Sequence, residues 1–271
     1  MRAKKSLGQN FLQDETVINR IVDALDLRKD ETVVEIGPGR GALTQRLLAD
    51  AGHVVAVEFD REMISPLRER FGSFDNFELI NDDALNIDFA DILKTAGVGG
   101  KAKLVANLPY NISTPILQRL IDQRRLFSSI VLMFQREVVE RVTASPGGKE
   151  RGFLSVLVEN AFDTEYLFDV APEAFQPVPK VWSAVVRITP KRSAVSDEAL
   201  FRKIVSVSFS QKRKTILNNF KSAFPDGSVL LEQSGIDGRR RAETLTLDEW
   251  IRLTDTIGQT KMTGQSIDAR S

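Results

Sequence analysis

"VVEIGPGRGALT", residues 33–44, decides the fold. An apolar, β-branched run stops at three glycines, Gly37, Gly39 and Gly41, and passes directly into a helical segment. Glycine is needed at such a turn because a Cβ would block both the tight bend and the approach of a ligand to backbone N–H groups at the helix start. Outward from this stretch the alternation continues. "TVVEIG" (32–37), "HVVAVE" (53–58), "FELI" (77–80), "KLVAN" (103–107) and "SIVLMF" (129–134) read as strands, and helical segments follow Gly41, Arg61, the region of Asp91 and Ser113. Continuous apolar strands separated by helices predict a parallel sheet covered on both faces. The fold class is therefore α/β, doubly wound and Rossmann-like, with the glycine turn at its ligand crevice.

Before the sheet, Asp14 can cap a helix whose apolar stripe is Val17, Ile18, Ile21, Val22 and Leu25. After a surface loop at "ASPGGKERG" come an apolar segment, "FLSVLVENAF" (153–162), and two further strands, "EYLFDV" (165–170) and "SAVVRI" (183–188). Pro190 and the polar "KRSAVSD" mark a linker. Beyond it Leu200, Ile204, Val207 and Phe209, then Ile216, Leu217 and Phe220, then Trp250, Ile251 and Leu253 are spaced as in helices. The predicted domains are 1–190, with an N-terminal arm at 1–13, and a small all-helical domain at 191–271 with a loose tail after about Gly258.

At 271 residues and 42% apolar content the chain can bury a full-sized core. It has no long apolar run and no signal-peptide pattern, so a cytoplasmic location and no membrane contact are expected. Zero cysteines remove disulfides, thiolate metal sites and every covalent cysteine mechanism, and no metal is expected. The single histidine, His53, opens a strand and reads as structural. The formal charge is zero but uneven: residues 191–271 hold 14 Lys/Arg against 10 Asp/Glu, and residues 1–190 hold 23 against 27.

The glycine turn alone leaves two ligands open. Gly37, Gly39 and Ala42 satisfy the dinucleotide pattern G-x-G-x-x-A, with Glu58 placed for a nicotinamide ribose. Glu35, two residues before the first glycine, and the acidic turn "NDDAL" (81–85) favour S-adenosylmethionine instead. In that arrangement Glu58 holds the ribose hydroxyls and Asp83 accepts from the adenine amino group, while Asp82 and Asp88 read as caps or loop charges.

"NLPY", residues 107–110, breaks the tie, since it has no task in hydride transfer. The N6 lone pair of adenine is delocalised into the ring, so the amine needs its hydrogens held before it can attack a methyl group. Asn107 can accept one N–H through its side-chain oxygen and the Leu108 carbonyl the other, aimed by Pro109. Tyr110 offers a flat face on which a flipped base can stack.

On these residues the chain resembles the small-subunit (16S) rRNA adenine N6,N6-dimethyltransferase family. The motifs are "LGQNFL" (7–12), "EIGPGRGALT" (35–44), "NDDAL", "NLPYNIST" (107–114), "AFQPVPKV" (174–181) and "SFSQKRKTILNN" (208–219), and the likeness runs from about residue 4 to 255. The resemblance implies a class I methyltransferase sheet that takes S-adenosylmethionine. It implies that Asn10 and Leu12 contact the donor, that Gly37, Glu58 and Asp83 bind its main parts, and that Asn107 bridges donor and target amine. It further implies that Phe175 stacks on the adenine opposite Tyr110. One departure is visible: where the family usually has an acid after "PKV", this chain has Trp182.

The implied partner is 16S rRNA within the 30S subunit. RNA contact falls to the basic clusters: Arg2, Lys4 and Lys5; Lys212, Arg213 and Lys214 with Lys221; and Arg239, Arg240 and Arg241. No obligate protein partner is evident and a monomer is expected. The alternatives are a large-subunit rRNA adenine N6-methyltransferase of the macrolide-resistance type, a ribosome-assembly binding factor on the same fold, and a nicotinamide dehydrogenase.

Overall fold

The computed structural model describes residues 9–268 other than Tyr110 and Asn111, with side chains as far as Thr260. Two compact units emerge: the chain up to Val139 joined by Phe162–Pro190, and Glu140–Ala161 joined by the chain from Lys191 onward.

In chain order the first unit contains β1 (Phe11–Leu12), α1 (Glu15–Asp23), β2 (Thr32–Ile36), α2 (Ala42–Asp50), β3 (His53–Glu58) and α3 (Arg61–Phe71). There follow β4 (Phe77–Asn81), α4 (Phe89–Thr95), β5 (Ala102–Asn107), α5 (Ser113–Gln123), β6 (Phe127–Gln135) and the start of α6 (Arg136–Val142). The chain returns to it with β7 (Phe162–Val170), β8 (Phe175–Gln176) and β9 (Ser183–Pro190). Seven strands form one sheet in the order β4-β3-β2-β5-β6-β9-β7, in which β9 is antiparallel to both its neighbours. The central strands are buried on both faces, which is why they read as unbroken apolar runs. Glu35 in β2, Glu58 at the end of β3 and Lys103 in β5 are charged residues within that buried layer. β1 pairs only with β8, as a separate antiparallel ribbon.

Asp14 caps α1 by accepting from Thr16 N and Val17 N, and Ile18, Ile21 and Val22 turn inward. Asp88 likewise caps α4 by accepting from Ala90 N. His53 begins β3 with its Nε2 3.7 Å from Glu78. At the start of α2, Gly41 has φ 78°, and a Cβ there would lie 2.3 Å from the ring of Phe71, itself buried against Phe77. Gly41→Ala therefore combines left-handed strain with overpacking, and a loss of about 3 kcal/mol in a denaturant titration is the expected result.

The second unit holds α7 (Phe153–Ala161), α8 (Glu198–Ser208), α9 (Ile216–Phe220), α10 (Gly227–Gln233) and α11 (Leu247–Asp268). Trp250 is fully buried beside Phe209, and Phe220 stacks on Phe224 at 4.3 Å. The expected boundary at Pro190 coincides with a unit boundary, but residues 140–161 group with the C-terminal helices instead of with 1–190. The reason is packing: α7 lies against α8 and α11, and the buried Arg151 guanidinium bonds Ala144 O, Glu159 and Leu245 O. The same bonds, with Gly147 N–H donating to Glu243 O, tie the 144–151 loop down. α11 also runs on to Asp268, ten residues past the expected tail boundary at Gly258.

Candidate active site

The strand order reverses between β2 and β5, and the crevice at such a reversal binds ligands at the carboxyl ends of the strands. Parallel register sets Ile36 beside Ala106 and Glu58 beside Asn81, so the ends of β2, β3, β4 and β5 are level. Above them lies a cavity of about 280 Å³. Asn10, Leu12, Gly37, Glu58, Asp83, Asn107, Leu108, Pro109 and Phe175 all line it. Tyr110, Lys4, Lys5 and Arg2 lie outside the described residues.

The glycine turn differs from the sequence expectation in one respect. Its N–H groups are already engaged: Gly37 donates to Val57 O, Gly39 to Glu58 Oε2 at 3.0 Å, and Gly41 to Pro38 O. What the turn offers is room. A Cβ on Gly37 would meet nothing nearer than Asn107 O at 4.0 Å, so the space between the turn and the end of β5 stays open. A Cβ on Gly39 would stand 3.2 Å from the ring of Phe11.

Two acids line the cavity side by side. Glu35 is buried and accepts from Thr44 Oγ1 at 2.6 Å. Burial pushes its carboxyl up to about 8, against the Thr44 hydrogen bond and helped by the charge of Glu58. Glu58 is also raised by burial, against backbone N–H groups of Asp60 and Gly39 that hold the carboxylate. Asp83 accepts from Leu85 N and Asn86 Nδ2, which fixes the acidic turn, and Asp82 accepts from Asp83 N. Among the described residues no group of three or more His, Asp or Glu is arranged to hold a metal ion.

β1 and β8 close one side of the cavity. Leu12 pairs with Phe175 and Phe11 with Gln176. Phe175 is only 3% exposed and packs with Leu12 in the apolar core. Stacking its full face on a base therefore requires local movement. Phe11, Phe59 and Asp60 are among the lining residues that sequence reasoning missed. Phe11 is capped by the Arg40 guanidinium at 4.4 Å, Asp60 accepts from Gln9 Nε2 at 3.0 Å, and Phe59 is exposed. Phe11 lies inside "LGQNFL", a motif quoted for its neighbours, whereas nothing in the sequence marks Phe59.

The remaining predicted RNA contacts belong to the second unit. Lys212, Arg213 and Lys214 are exposed, with Lys212 Nζ donating to Lys149 O. Arg239 is exposed and paired with Asp237. Arg240 is committed elsewhere: it grips Glu249 at 2.5 and 3.0 Å and donates to Thr244 O, which holds the Glu249 carboxyl below its usual range. Arg240 thus fastens the start of α11, and of this triplet Arg239 and Arg241 stay exposed at the surface.

The chain matches the ribosomal RNA adenine dimethylase family over residues 1–259. It belongs to that family. It is 45% identical over 262 residues to the ribosomal RNA small subunit methyltransferase A of Geobacter metallireducens, a match covering 94% of this chain and 95% of the relative. Among solved structures it is similar to a dimethyladenosine transferase from Plasmodium falciparum, with a TM-score of 0.76, 28% identity, and 90% and 95% of the two chains covered. It is also similar to a 23S rRNA methyltransferase, with a TM-score of 0.69, 26% identity, and 92% and 100% covered.

The cofactor of this rRNA adenine dimethylase, S-adenosylmethionine, fits the residues present. The missing Cβ at Gly37 leaves the passage that its extended body needs. Glu35, Glu58, Asp60, Asp82 and Asp83 supply acidic groups to a cavity whose exposed wall is mostly apolar, which suits a cationic ligand with polar ends.

Proposed function

We propose that this chain transfers methyl groups to N6 of two adjacent adenosines in the 3′-terminal hairpin loop of 16S rRNA, within the 30S particle. The products are N6,N6-dimethyladenosines, and the protein serves small-subunit biogenesis as a cytoplasmic monomer. The observation that carries this reading is the placing of Asn107–Pro109 at the end of β5, across an open passage from the glycine turn.

In this reading Asn10, Leu12, Gly37, Glu58 and Asp83 hold the donor, whose sulfonium supplies an electrophilic methyl group. Asn107 Oδ1 and the Leu108 carbonyl each accept one hydrogen of the target amine, Pro109 fixes the backbone, and Phe175 and Tyr110 flank the base. With the donor bound, its sulfonium would supply the methyl group to the nitrogen that Asn107 and Leu108 hold, and the carbon–sulfur bonding pair would stay with the departing sulfur. The proton then leaves the cationic nitrogen to water, so no strong general base is needed, and the rate comes from orientation and electrostatics. Lys4, Lys5, Lys212, Arg213, Lys214, Arg239 and Arg241 are assigned to phosphate contact, a role that weakens with salt.

The small-subunit choice is supported by the relative named for that subunit, 45% identical, against 26% for the structure titled for 23S rRNA. The test is incubation of the purified protein with labelled donor and undermethylated 30S particles. Label in N6,N6-dimethyladenosine of 16S rRNA is the expected result. Label confined to large subunits instead points to the macrolide-resistance type. Normal subunit maturation by a catalytically dead variant points to an assembly factor.

A further inference from the structure

Trp182 is given no part in the reaction above, yet its surroundings are specific. The segment leaving Phe175 exposes three large apolar side chains in five residues: Val178 (57%), Val181 (42%) and Trp182 (49%). An exposed tryptophan beside exposed valines makes an apolar patch of the kind that marks an interaction surface. This ring stands on a rigid base. The Trp182 carbonyl accepts from Arg136 N–H at 3.0 Å, and the next residue, Ser183, is buried and paired with both Gln135 and Val170.

Sheet register locates it relative to the reacting centre. Met133 lies beside Asn107, and Gln135, two residues further along β6, lies opposite Ser183. With strands about 4.8 Å apart and a rise of about 3.3 Å per residue, the Trp182 backbone stands roughly 10 Å across and 7–10 Å beyond Asn107. It is therefore on the same carboxyl edge of the sheet, at a distance that the nucleotides next to a base held at Asn107 cover. Two cations stand near it in the chain and the sheet: Lys180 is exposed two residues before, and Arg136, half exposed, is paired with Asp169 at 3.7 Å. A rigid aromatic ring flanked by cations is the arrangement on which unpaired bases stack.

We propose that Trp182 is the stacking platform for an unpaired nucleobase flanking the target adenosine. This inference rests on the RNA-methylation reading and adds to it a residue that positions the strand outside the cavity. The partner is an exposed base, with Lys180 and Arg136 facing the adjoining phosphates.

Methylation of undermethylated small subunits by the wild type, W182A, W182F and W182L tests it. W182A raises KM for the particle by roughly tenfold or more, as expected for one lost base stack. Its kcat at saturation and its affinity for the donor, measured by calorimetry, stay unchanged. W182F restores most of the KM and W182L does not. An unchanged KM in W182A overturns the proposal. So does full recovery in W182L, which identifies an apolar contact with a protein surface instead. If the wild type transfers no methyl group, the functional reading falls and emission decides the inference separately. The chain has two tryptophans, and Trp250 is fully buried, so quenching by a short adenosine-rich single strand reports Trp182. Quenching retains the platform, and its absence overturns it.

Discussion

Asn107→Ala lowers the single-turnover rate of methyl transfer by about 10²–10³-fold, the usual consequence of deleting one preorganised polar partner of a transition state. Donor affinity, measured by calorimetry on the same variant, is only partly reduced. The split follows from which atoms of Asn107 face what. Its backbone carbonyl is the nearest atom to the missing Gly37 Cβ, at 4.0 Å, and alanine keeps that carbonyl. The side-chain amide, which alanine removes, is the part assigned to the target amine. A rate unchanged by the substitution contradicts that role. A donor affinity that collapses together with the rate assigns Asn107 to donor binding alone.

The parallel sheet is legible because burial on both faces leaves unbroken apolar runs: "HVVAVE" is β3 residue for residue. The crevice is legible for a related reason, since three glycines between such a strand and a helix mark a turn whose backbone must stay clear of side chains. The β1–β8 ribbon is not legible. It consists of two residues on each side, Phe11–Leu12 and Phe175–Gln176, held by pairing between distant parts of the chain. Asn10 and Leu12 accordingly entered only through the family resemblance. The allegiance of residues 140–161 is equally hidden, because the apolar face of α7 fits a sheet or a helical bundle and Arg151 looks like a surface charge until its carbonyl partners are known. Arg240 fails in the opposite direction: within "RRR" it looks free, and only the fold brings Glu249 to it. Local pattern reports burial well and pairing poorly, because pairing depends on residues far away in sequence.

Glu35 carries the second large effect. Its ordinary value is 4.5 and burial lifts it to about 8 in the folded chain. Between those values the folded protein holds a proton that the unfolded chain has released, so stability falls as pH rises through the window. The slope approaches about 1.4 kcal/mol per pH unit, and the full difference is about 5 kcal/mol. Denaturant titrations of the ligand-free protein between about pH 5 and pH 8 should show this decline. Glu35→Gln keeps an acceptor for Thr44 Oγ1 and removes the ionisation, so it should be nearly flat over the same range. A smaller slope of the same sign persists from Glu58, whose carboxyl is raised by the same cause. Equal slopes in the wild type and Glu35→Gln refute the assignment. The functional meaning lies in why an acid is kept at this point of an apolar strand. Water does not solvate it there, but positive charge entering the cavity that Glu35 lines favours its ionised form. Saturating S-adenosylmethionine should therefore flatten the wild-type slope toward that of the glutamine variant, and its stabilisation of the wild type should grow with pH.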